Sequence, residues 1–326
     1  MNISQLSTPT KSELKSEFKF LKSAVVQGVP GVWAVASETP GPTVGITIHT
    51  HGNEPSGLAA AWYLRNIFGI SRELLCGSVL ITLNNLRATE RYLRARTKPT
   101  KEAARFIGLN MNRLPNGLVA DTQTYEVSRA RDLLPIWRGF DAALDIHSVS
   151  FKKTAAQSRP MIIEVASHPR IETLIRRFPI DLRFSEVERF QLKKPMLSFC
   201  GNPKQRIPAI GIEAGSHESP AAFRVAIGCV LSFLGELELI RSPLRLPIRT
   251  NREHYRFVGR LLFPDDSWSL VRIFEPYESV RAGEVLARNA AGGTMCAPLD
   301  AQIMFPPPGR KPTKKGDEAL FFIQRQ

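Results

Sequence analysis

The chain has 326 residues, of which 43% are hydrophobic and 23% are charged. This composition is ordinary for a globular protein and excludes a wholly disordered chain, which would contain few apolar residues. The unusual property is charge, because 44 Lys and Arg against 30 Asp and Glu give a formal net charge of +14. Such a charge fits nucleic acid, an anionic membrane surface or an acidic substrate as the partner.

The cysteines and the apolar segments indicate the cellular compartment. Four cysteines lie far apart and form no CxxC pair, so we expect neither a disulfide framework nor a zinc ribbon. The N-terminus lacks the apolar core of a signal peptide. The most apolar stretch, residues 225–235, is shorter than the ~18 residues that a membrane span needs. We therefore expect a soluble, cytoplasmic protein with no membrane partner.

In chain order, strand-like and helix-like patterns alternate after a polar N-terminal segment, residues 1–23, for which we expect an irregular lead-in. Short β-rich runs predict strands, and apolar residues at helical spacing predict helices. The predicted strands are 32–37, 43–51, 78–85, 142–147, 160–167 and 208–215, and the predicted helices are 56–68, 171–178 and 221–240. This alternation predicts an α/β fold with a mixed, mainly parallel central sheet flanked by helices.

The character of the sequence changes after Ser242, where a segment containing Pro and Arg reads as a linker. We predict two domains, residues 1–242 and a small β-rich domain, residues 243–326. Part of the second domain, residues 280–305, resembles half of a lipoyl- or biotinyl-type β-sandwich. Residues 281–304 contain no lysine that could carry such a group. A lid or an oligomer contact is therefore the expected role, which leaves a homo-oligomer open.

The sharpest pattern is IHTHGNEPSG, residues 48–57. His51 and Glu54 are three residues apart where a strand is expected to lead into a helix, so both side chains can lie on one face. Zn²⁺ accepts histidine nitrogen and carboxylate oxygen, and a catalytic zinc site commonly has three protein ligands. His147, at the end of a predicted strand, is the best third ligand. His49 points to the same face and either joins the site or supports a ligand.

Two further fragments contain polar groups that suit a reaction site. Asn112 is followed by Arg113, and an arginine side chain can bind a carboxylate through two hydrogen bonds. Glu213 ends an apolar strand, where a carboxylate is unfavourable unless it is paired or used. Asp145, two residues before His147, either orients a neighbour by a hydrogen bond or has no part in the site.

Five motifs follow one another in a recognisable order. They are HGNE (51–54), NNLRA (84–88), NMNR (110–113), DIH (145–147) and GIEAG (211–215). With these motifs the chain resembles the succinylglutamate desuccinylase/aspartoacylase family, which belongs to the zinc carboxypeptidase-like fold group. The motifs span roughly residues 43–240, and the β-rich tail also resembles that family's C-terminal domain. The resemblance implies one Zn²⁺ per chain, bound by His51, Glu54 and His147.

The resemblance also implies roles for the other polar residues. Glu213 matches the catalytic carboxylate that activates a zinc-bound water, and Arg87 matches the arginine that polarises the scissile carbonyl. Asn112 and Arg113 match the pair that binds a substrate carboxylate. Asn110 stands where the family often has Asp, which leaves the substrate geometry open. The implied activity is hydrolysis of the amide bond of a small anionic N-acyl amino acid.

Two other functions stay open at this point. A zinc carboxypeptidase or amidase that acts on short peptides would use the same scaffold and metal. A basic nucleic-acid-binding module would account for the charge, but the sequence contains no recognised nucleic-acid motif. From Arg87 to Arg113, eight basic and two acidic residues give a net charge of +6. Because this segment joins two of the motifs, we expect it to attract a small anionic substrate rather than nucleic acid.

Overall fold

The computed structural model describes residues 1–115, 118, 124–149, 158–191, 193–307, 309–311 and 318–326. The chain divides into two compact units. The first is Met1–Arg183 with Lys193–Arg252, and the second is Phe184–Leu192 with Glu253–Gln326. Residues 243–252 thus belong to the first unit. The boundary after residue 242 between two independently folding domains stays a prediction.

Helices and strands alternate through the first unit, whereas the second contains one short helix, Val187–Phe190, and otherwise strands among its described residues. The helices are α1 (Lys11–Ser23), α2 (Ser56–Tyr63), α3 (Ile70–Glu73), α4 (Leu86–Arg94), α5 (Lys98–Glu102), α6 (Tyr125–Arg138), α7 (Ile171–Ile175), α8 (Val187–Phe190) and α9 (Pro220–Glu236). The first strands are β1 (Val25–Val26), β2 (Val29–Pro30), β3 (Val32–Ala36), β4 (Thr43–Ile48), β5 (Ser78–Leu83), β6 (Ala142–Val149), β7 (Met161–Glu164), β8 (Leu182–Ser185) and β9 (Ala209–Ser216). The remaining strands are β10 (Glu253–Leu262), β11 (Trp268–Leu270), β12 (Ser279–Val280), β13 (Val285–Asn289), β14 (Thr294–Cys296), β15 (Ala301–Met304) and β16 (Glu318–Arg325). None of these helices is long and apolar enough to cross a membrane, as far as the described residues extend.

The sheet of the first unit is mixed and mainly parallel, as predicted. Strands β5, β4, β6 and β9 pair side by side and run parallel. Strand β3 is antiparallel to β5, and β7 is antiparallel to β9. The carboxyl ends of the four parallel strands therefore meet at one edge of the sheet, where ligands bind in folds of this type.

Both faces of this sheet are covered, because successive residues of a strand point to opposite sides. On β6, Leu144 and Ile146 belong to one hydrophobic core with residues of α2 and α9. Ala143 of the same strand belongs to the other core, together with Trp137 of α6 and Phe140. Gly45 of β4 is required by this packing, since an added Cβ would lie 2.1 Å from a ring carbon of Phe140. The predicted arrangement of helices flanking a central sheet is confirmed.

The polar N-terminal segment forms helix α1 rather than an irregular lead-in. The Thr10 hydroxyl accepts from the backbone N–H of Glu13, and the Glu13 carboxylate accepts from the backbone N–H of Thr10. This capping box satisfies N–H groups that would otherwise lack partners. Leu14, Phe18 and Leu21 recur at helical spacing and are buried in the core. The apolar stripe was not recognised in the sequence because lysines stand between its members.

The second unit is built from antiparallel strands. Strand β16 pairs with β10 and β15, and β15 pairs with β12. A separate three-stranded sheet contains β11, β13 and β14. Phe274, Leu286, Ile303 and Phe322 are among the buried residues of its core. The predicted C-terminal β region is confirmed.

Candidate active site

The predicted site residues come together at the carboxyl edge of the parallel strands. His51 and Glu54 follow the end of β4 and precede α2. His147 lies near the end of β6 and is paired in register with Glu213 on the adjacent strand β9. The structure therefore places His51, Glu54, His147 and Glu213 in one region, as the strand-end interpretation of the sequence required.

The carboxylate of Glu54 lies between two imidazole rings. Its Oε1 is 2.8 Å from Nδ1 of His51, and its Oε2 is 2.7 Å from Nδ1 of His147. The exposed fractions of His51, Glu54 and His147 are 3%, 1% and 5%. One potential ligand atom of each lies within 4.8 Å of the other two, so the three residues could hold a metal ion. We call these three residues the metal cluster.

The outer nitrogen of each imidazole faces a side-chain oxygen. Nε2 of His147 is 2.6 Å from Oδ2 of Asp145, and Nε2 of His51 is 2.9 Å from Oδ1 of Asn110. Nε2 of each ring therefore has an oxygen on its outer side, and Nδ1 of each ring faces a carboxylate oxygen of Glu54. Two imidazole nitrogens and a carboxylate form a donor set that Zn²⁺ accepts, so the residues fit that ion.

The surroundings of the cluster shift the pKa values of its two imidazoles in opposite directions. Burial and the positive charge of Arg105 lower the pKa of His51 to about 4. Burial also disfavours a charge on His147, but the carboxylates of Asp145 and Glu54 outweigh it and raise the pKa of His147 well above its usual range. Burial alone would raise the pKa of Glu54, yet the two imidazoles hold that pKa well below its usual range. Glu54 is therefore an anionic ligand group.

Asp145 forms a hydrogen bond with His147, which is one of the two alternatives that the sequence left open for it. Besides the bond from His147, its Oδ1 accepts from the Thr47 hydroxyl at 2.7 Å and from the Thr50 hydroxyl at 3.1 Å. Both hydroxyls are buried. The carboxylate is therefore held in place, and it fixes the ring orientation of His147.

We expect Asp145→Asn to weaken Zn²⁺ binding by about 10–100-fold, because the imidazole of His147 loses the charged acceptor that orients it. Competition with a chromogenic chelator measures the Kd. Asp141→Asn is the matched control, since Asp141 precedes the same strand and accepts from the backbone N–H of Thr43. If Asp145→Asn binds Zn²⁺ as tightly as Asp141→Asn, Asp145 has no orienting role.

The predicted carboxylate-binding pair lies in a short 3-10 turn, Met111–Arg113, next to the cluster. Oδ1 of Asn110 accepts from the backbone N–H of Asn112 at 2.8 Å. Nδ2 of Asn112 is 3.2 Å from Nε2 of His147, and Nη1 of Arg113 donates to the carbonyl of Asn112. The amide oxygen of Asn110 thus provides an acceptor to His51 and to this turn, as an Asp at this position would.

Arg87, predicted to polarise the scissile carbonyl, does not contact the metal cluster. Asn85 caps α4 by accepting from the backbone N–H of Ala88, so Arg87 lies in the exposed first turn of that helix. Its guanidinium lies over the ring of Tyr125, 4.5 Å from the centroid. Within the described part of the chain, the Arg87 side chain makes no hydrogen bond or ion pair to the cluster.

Arg105 is the arginine that contacts the metal cluster. Its Nη1 donates to Oε1 of Glu54 at 2.9 Å, and its Nη2 is 3.3 Å from Nε2 of His51. The side chain of Arg105 is 41% exposed, whereas that of Glu54 is 1% exposed. The guanidinium therefore reaches from the solvent side to the cluster, where it can stabilise a negative charge that develops on a bound molecule.

Glu213 is the second carboxylate of the site. Its Oε2 is buried and has no hydrogen-bond partner among the described residues. Burial and the negative charge of Glu54 raise the pKa of Glu213 to about 8. A carboxyl group with a raised pKa beside a potential metal site is suited to accept and release a proton near neutral pH.

His49 lies next to the cluster in an unfavourable backbone conformation. Its φ is 52°, in the left-handed region, and the residue is completely buried. Burial lowers the pKa of His49 to about 4. The imidazole is therefore neutral in the folded protein at neutral pH, whereas in the unfolded chain it would bind a proton near pH 6.5.

The lowered pKa of His49 predicts that the stability of the folded protein decreases in acid. Because the folded pKa of His49 is depressed, the metal-free protein loses stability as pH falls from about 6.5 towards 4. We expect His49→Asn, which tolerates the left-handed region, to reduce the loss between pH 7 and pH 5 by about 2 kcal/mol. Urea denaturation at both pH values measures this change, with the half-buried His168→Asn as the control. Equal losses in His49→Asn and the wild type would contradict the prediction.

A scan against protein-family models finds no match, and a search of curated proteins finds none either.

Solved structures, in contrast, match along most of the chain. The chain is similar to succinylglutamate desuccinylase from Vibrio cholerae, at 16% identity and a TM-score of 0.66, over 96% of this chain and 94% of that one. It is similar to the same kind of protein from Chromobacterium violaceum, at 17% identity and a TM-score of 0.65, over 97% and 98% of the two chains. A succinylglutamate desuccinylase/aspartoacylase from Rhodobacter sphaeroides matches at 20% identity and a TM-score of 0.57, over 90% and 88%. These neighbours are proteins of the succinylglutamate desuccinylase/aspartoacylase family, and at these identities they establish that this chain has the same fold.

Proposed function

We propose that this chain is a member of the succinylglutamate desuccinylase/aspartoacylase family and hydrolyses the amide bond of a small anionic N-acyl amino acid with the help of one Zn²⁺. The observation that carries the proposal is the metal cluster. A buried carboxylate lies between two imidazoles whose outer nitrogens already have partners, and the carboxyl group of Glu213, with a buried Oε2, lies on the next strand. The solved structures with the same fold, named as desuccinylases, support this assignment.

The metal cluster would hold Zn²⁺ through His51, Glu54 and His147. When bound, the ion supplies a Lewis acid that lowers the pKa of water to about 7 and polarises a carbonyl oxygen. The protein's own part is to hold the ligands in place. Asp145 fixes one imidazole, and Asn110 fixes the other.

Glu213 is the general base in this proposal. It takes the proton of the attacking water and passes it to the leaving amine. Its raised pKa means that the basic, deprotonated form increases as pH rises towards 8.

Arg105 and the 3-10 turn complete the proposed site. The guanidinium of Arg105 stabilises the negative charge that develops on the carbonyl oxygen during attack. Asn112 and Arg113 bind a carboxylate of the substrate, which fixes the amide relative to the catalytic groups. The basic segment that contains these residues raises the local concentration of an anionic substrate.

The alternatives make different predictions about substrates. A zinc carboxypeptidase or amidase would prefer short peptides, and a nucleic-acid-binding module would bind DNA or RNA with an affinity that falls steeply with salt. We expect the zinc-loaded protein to hydrolyse an N-acetyl or N-succinyl amino acid with a kcat/KM about 100-fold above that for any dipeptide of a matched panel. A preference for the dipeptides would favour the peptidase. The cytoplasmic location and any homo-oligomer stay predictions.

A further inference from the structure

A cavity of about 520 Å³ is lined by residues outside the metal cluster, although Pro55 in its wall directly follows Glu54 in the chain. It is found where α1, α2 and α9 begin and α4 ends, with Thr10, Pro55 and Pro220 in its wall. Its size is typical of cavities that bind small molecules. The lining contains none of the residues to which a role in metal binding or hydrolysis has been assigned.

One part of the lining is apolar. Leu14 of α1, Pro55, Leu93 of α4 and Phe223 of α9 contribute side chains to it. Leu14 and Phe223 are otherwise buried, with exposed fractions of 6% and 5%. A ligand with a hydrocarbon body would gain about 25 cal/mol for each Å² of apolar surface that it buries here.

The other part of the lining is positively charged. Lys11, Lys15, Arg96 and Lys101 line the cavity, and Glu218 is the acidic residue among the lining residues. The net charge of the lining is therefore +3, from four basic residues and one acidic residue. This concentration of charge lies partly outside the basic segment 87–113, and it includes charge for which the proposed hydrolysis has no use.

Glu218 does not cancel this positive potential. Its carboxylate forms an ion pair with Lys101 and accepts from the Tyr92 hydroxyl at 2.5 Å. Burial alone would raise the pKa of Glu218, but these two bonds outweigh it and lower the pKa. Lys101 is thus neutralised by Glu218, whereas Lys15 and Arg96 form no ion pair with any residue that the structure describes.

We propose that this cavity is a second binding site, for a small monocarboxylate with an apolar body such as a medium-chain fatty acid anion. The hydrocarbon chain lies against Leu14, Leu93 and Phe223, and the carboxylate pairs with Lys15 and Arg96. Three helices begin at the cavity, and the positive ends of their dipoles also favour a negatively charged carboxylate there. The proposal does not depend on the hydrolytic function, because its residues are separate from the metal cluster.

Isothermal titration calorimetry with decanoate tests the proposal on the full-length, zinc-loaded protein. We expect saturable binding of one decanoate per chain, and much weaker binding of acetate and of decanol, since each lacks one of the two complementary parts. The titration is repeated on His147→Ala, which lacks a residue of the metal cluster. Unchanged binding there would place decanoate outside the cluster, and lost binding would overturn the proposal.

Two double variants separate the cavity from general surface charge. Lys15→Gln/Arg96→Gln removes two of the three lining cations that form no ion pair among the described residues, and should weaken decanoate binding at least about tenfold, a loss of about 1.4 kcal/mol. Lys19→Gln/Lys22→Gln removes the same formal charge from two residues that do not line this cavity, of which Lys22 pairs with Glu90, and should leave the affinity unchanged. Equal losses in both doubles, or acetate or decanol binding as tightly as decanoate, would overturn the proposal.

Discussion

Glu213→Gln is expected to lower kcat for the best N-acyl amino acid by about 10²–10⁴-fold, because the amide cannot accept the proton of the attacking water. The zinc content should stay at the wild-type value, since Glu213 is not one of the three residues of the metal cluster. Steady-state kinetics and elemental analysis on the same preparation check both statements. A variant that keeps full activity would remove Glu213 from the mechanism.

The same variant has an expected effect on stability that does not depend on substrate. The folded pKa of Glu213, about 8, is raised above the ordinary 4.5, so its favourable contribution is complete below pH 4.5 and is lost as pH rises towards 8. Glutamine imitates the protonated carboxyl group at every pH. Metal-free Glu213→Gln should therefore gain stability relative to the wild type between pH 5 and pH 8. Parallel Tm curves for the two proteins would show that the carboxyl group is not buried as described.

Arg105→Gln is expected to lower kcat by about 10²–10³-fold, as loss of a charged donor to a developing oxyanion does. Arg87→Gln is the matched control, because both residues belong to the same basic segment and Arg87 lies over Tyr125 instead of the cluster. We expect Arg87→Gln to retain wild-type kcat. A large loss in Arg87→Gln with none in Arg105→Gln would restore the assignment made from the sequence.

Zinc content must be measured for Arg105→Gln as well, because Arg105 donates to Oε1 of Glu54. A lower zinc content with normal activity per zinc would assign Arg105 to metal binding rather than to catalysis. A normal zinc content with a lower kcat would support the role in charge stabilisation.

The sequence predicts the metal cluster because its members follow the carboxyl ends of predicted parallel strands and because the ordered motifs resemble those of a family with a zinc site. His51 and Glu54 follow one parallel strand and His147 ends its neighbour, so one sheet edge collects all three. Glu213 was expected at the same edge because it ends another predicted strand, and the structure adds that this strand pairs in register with that of His147. The regular spacing of a parallel sheet places these residues at one edge whatever conformation their side chains adopt.

Arg105 could not be identified in the same way, because its position depends on the path of an irregular segment. Gly52 N–H donates to the carbonyl of Arg105, and this bond brings the segment beside the HGNE turn. Among the six basic residues between the NNLRA and NMNR motifs, no periodicity distinguishes the one that a single backbone hydrogen bond selects. Arg87 belongs to the NNLRA motif, but the cap formed by Asn85 places it in the first turn of a helix.

Zinc stoichiometry tests the central claim most directly. We expect about one Zn²⁺ per chain in the wild type after loading and desalting, and much less in His51→Ala and His147→Ala. Hydrolysis of N-acyl amino acids should disappear on chelation and return when Zn²⁺ is added. Equal and negligible zinc in all three proteins, or activity that survives chelation, would contradict the assignment of His51, Glu54 and His147 as the metal centre.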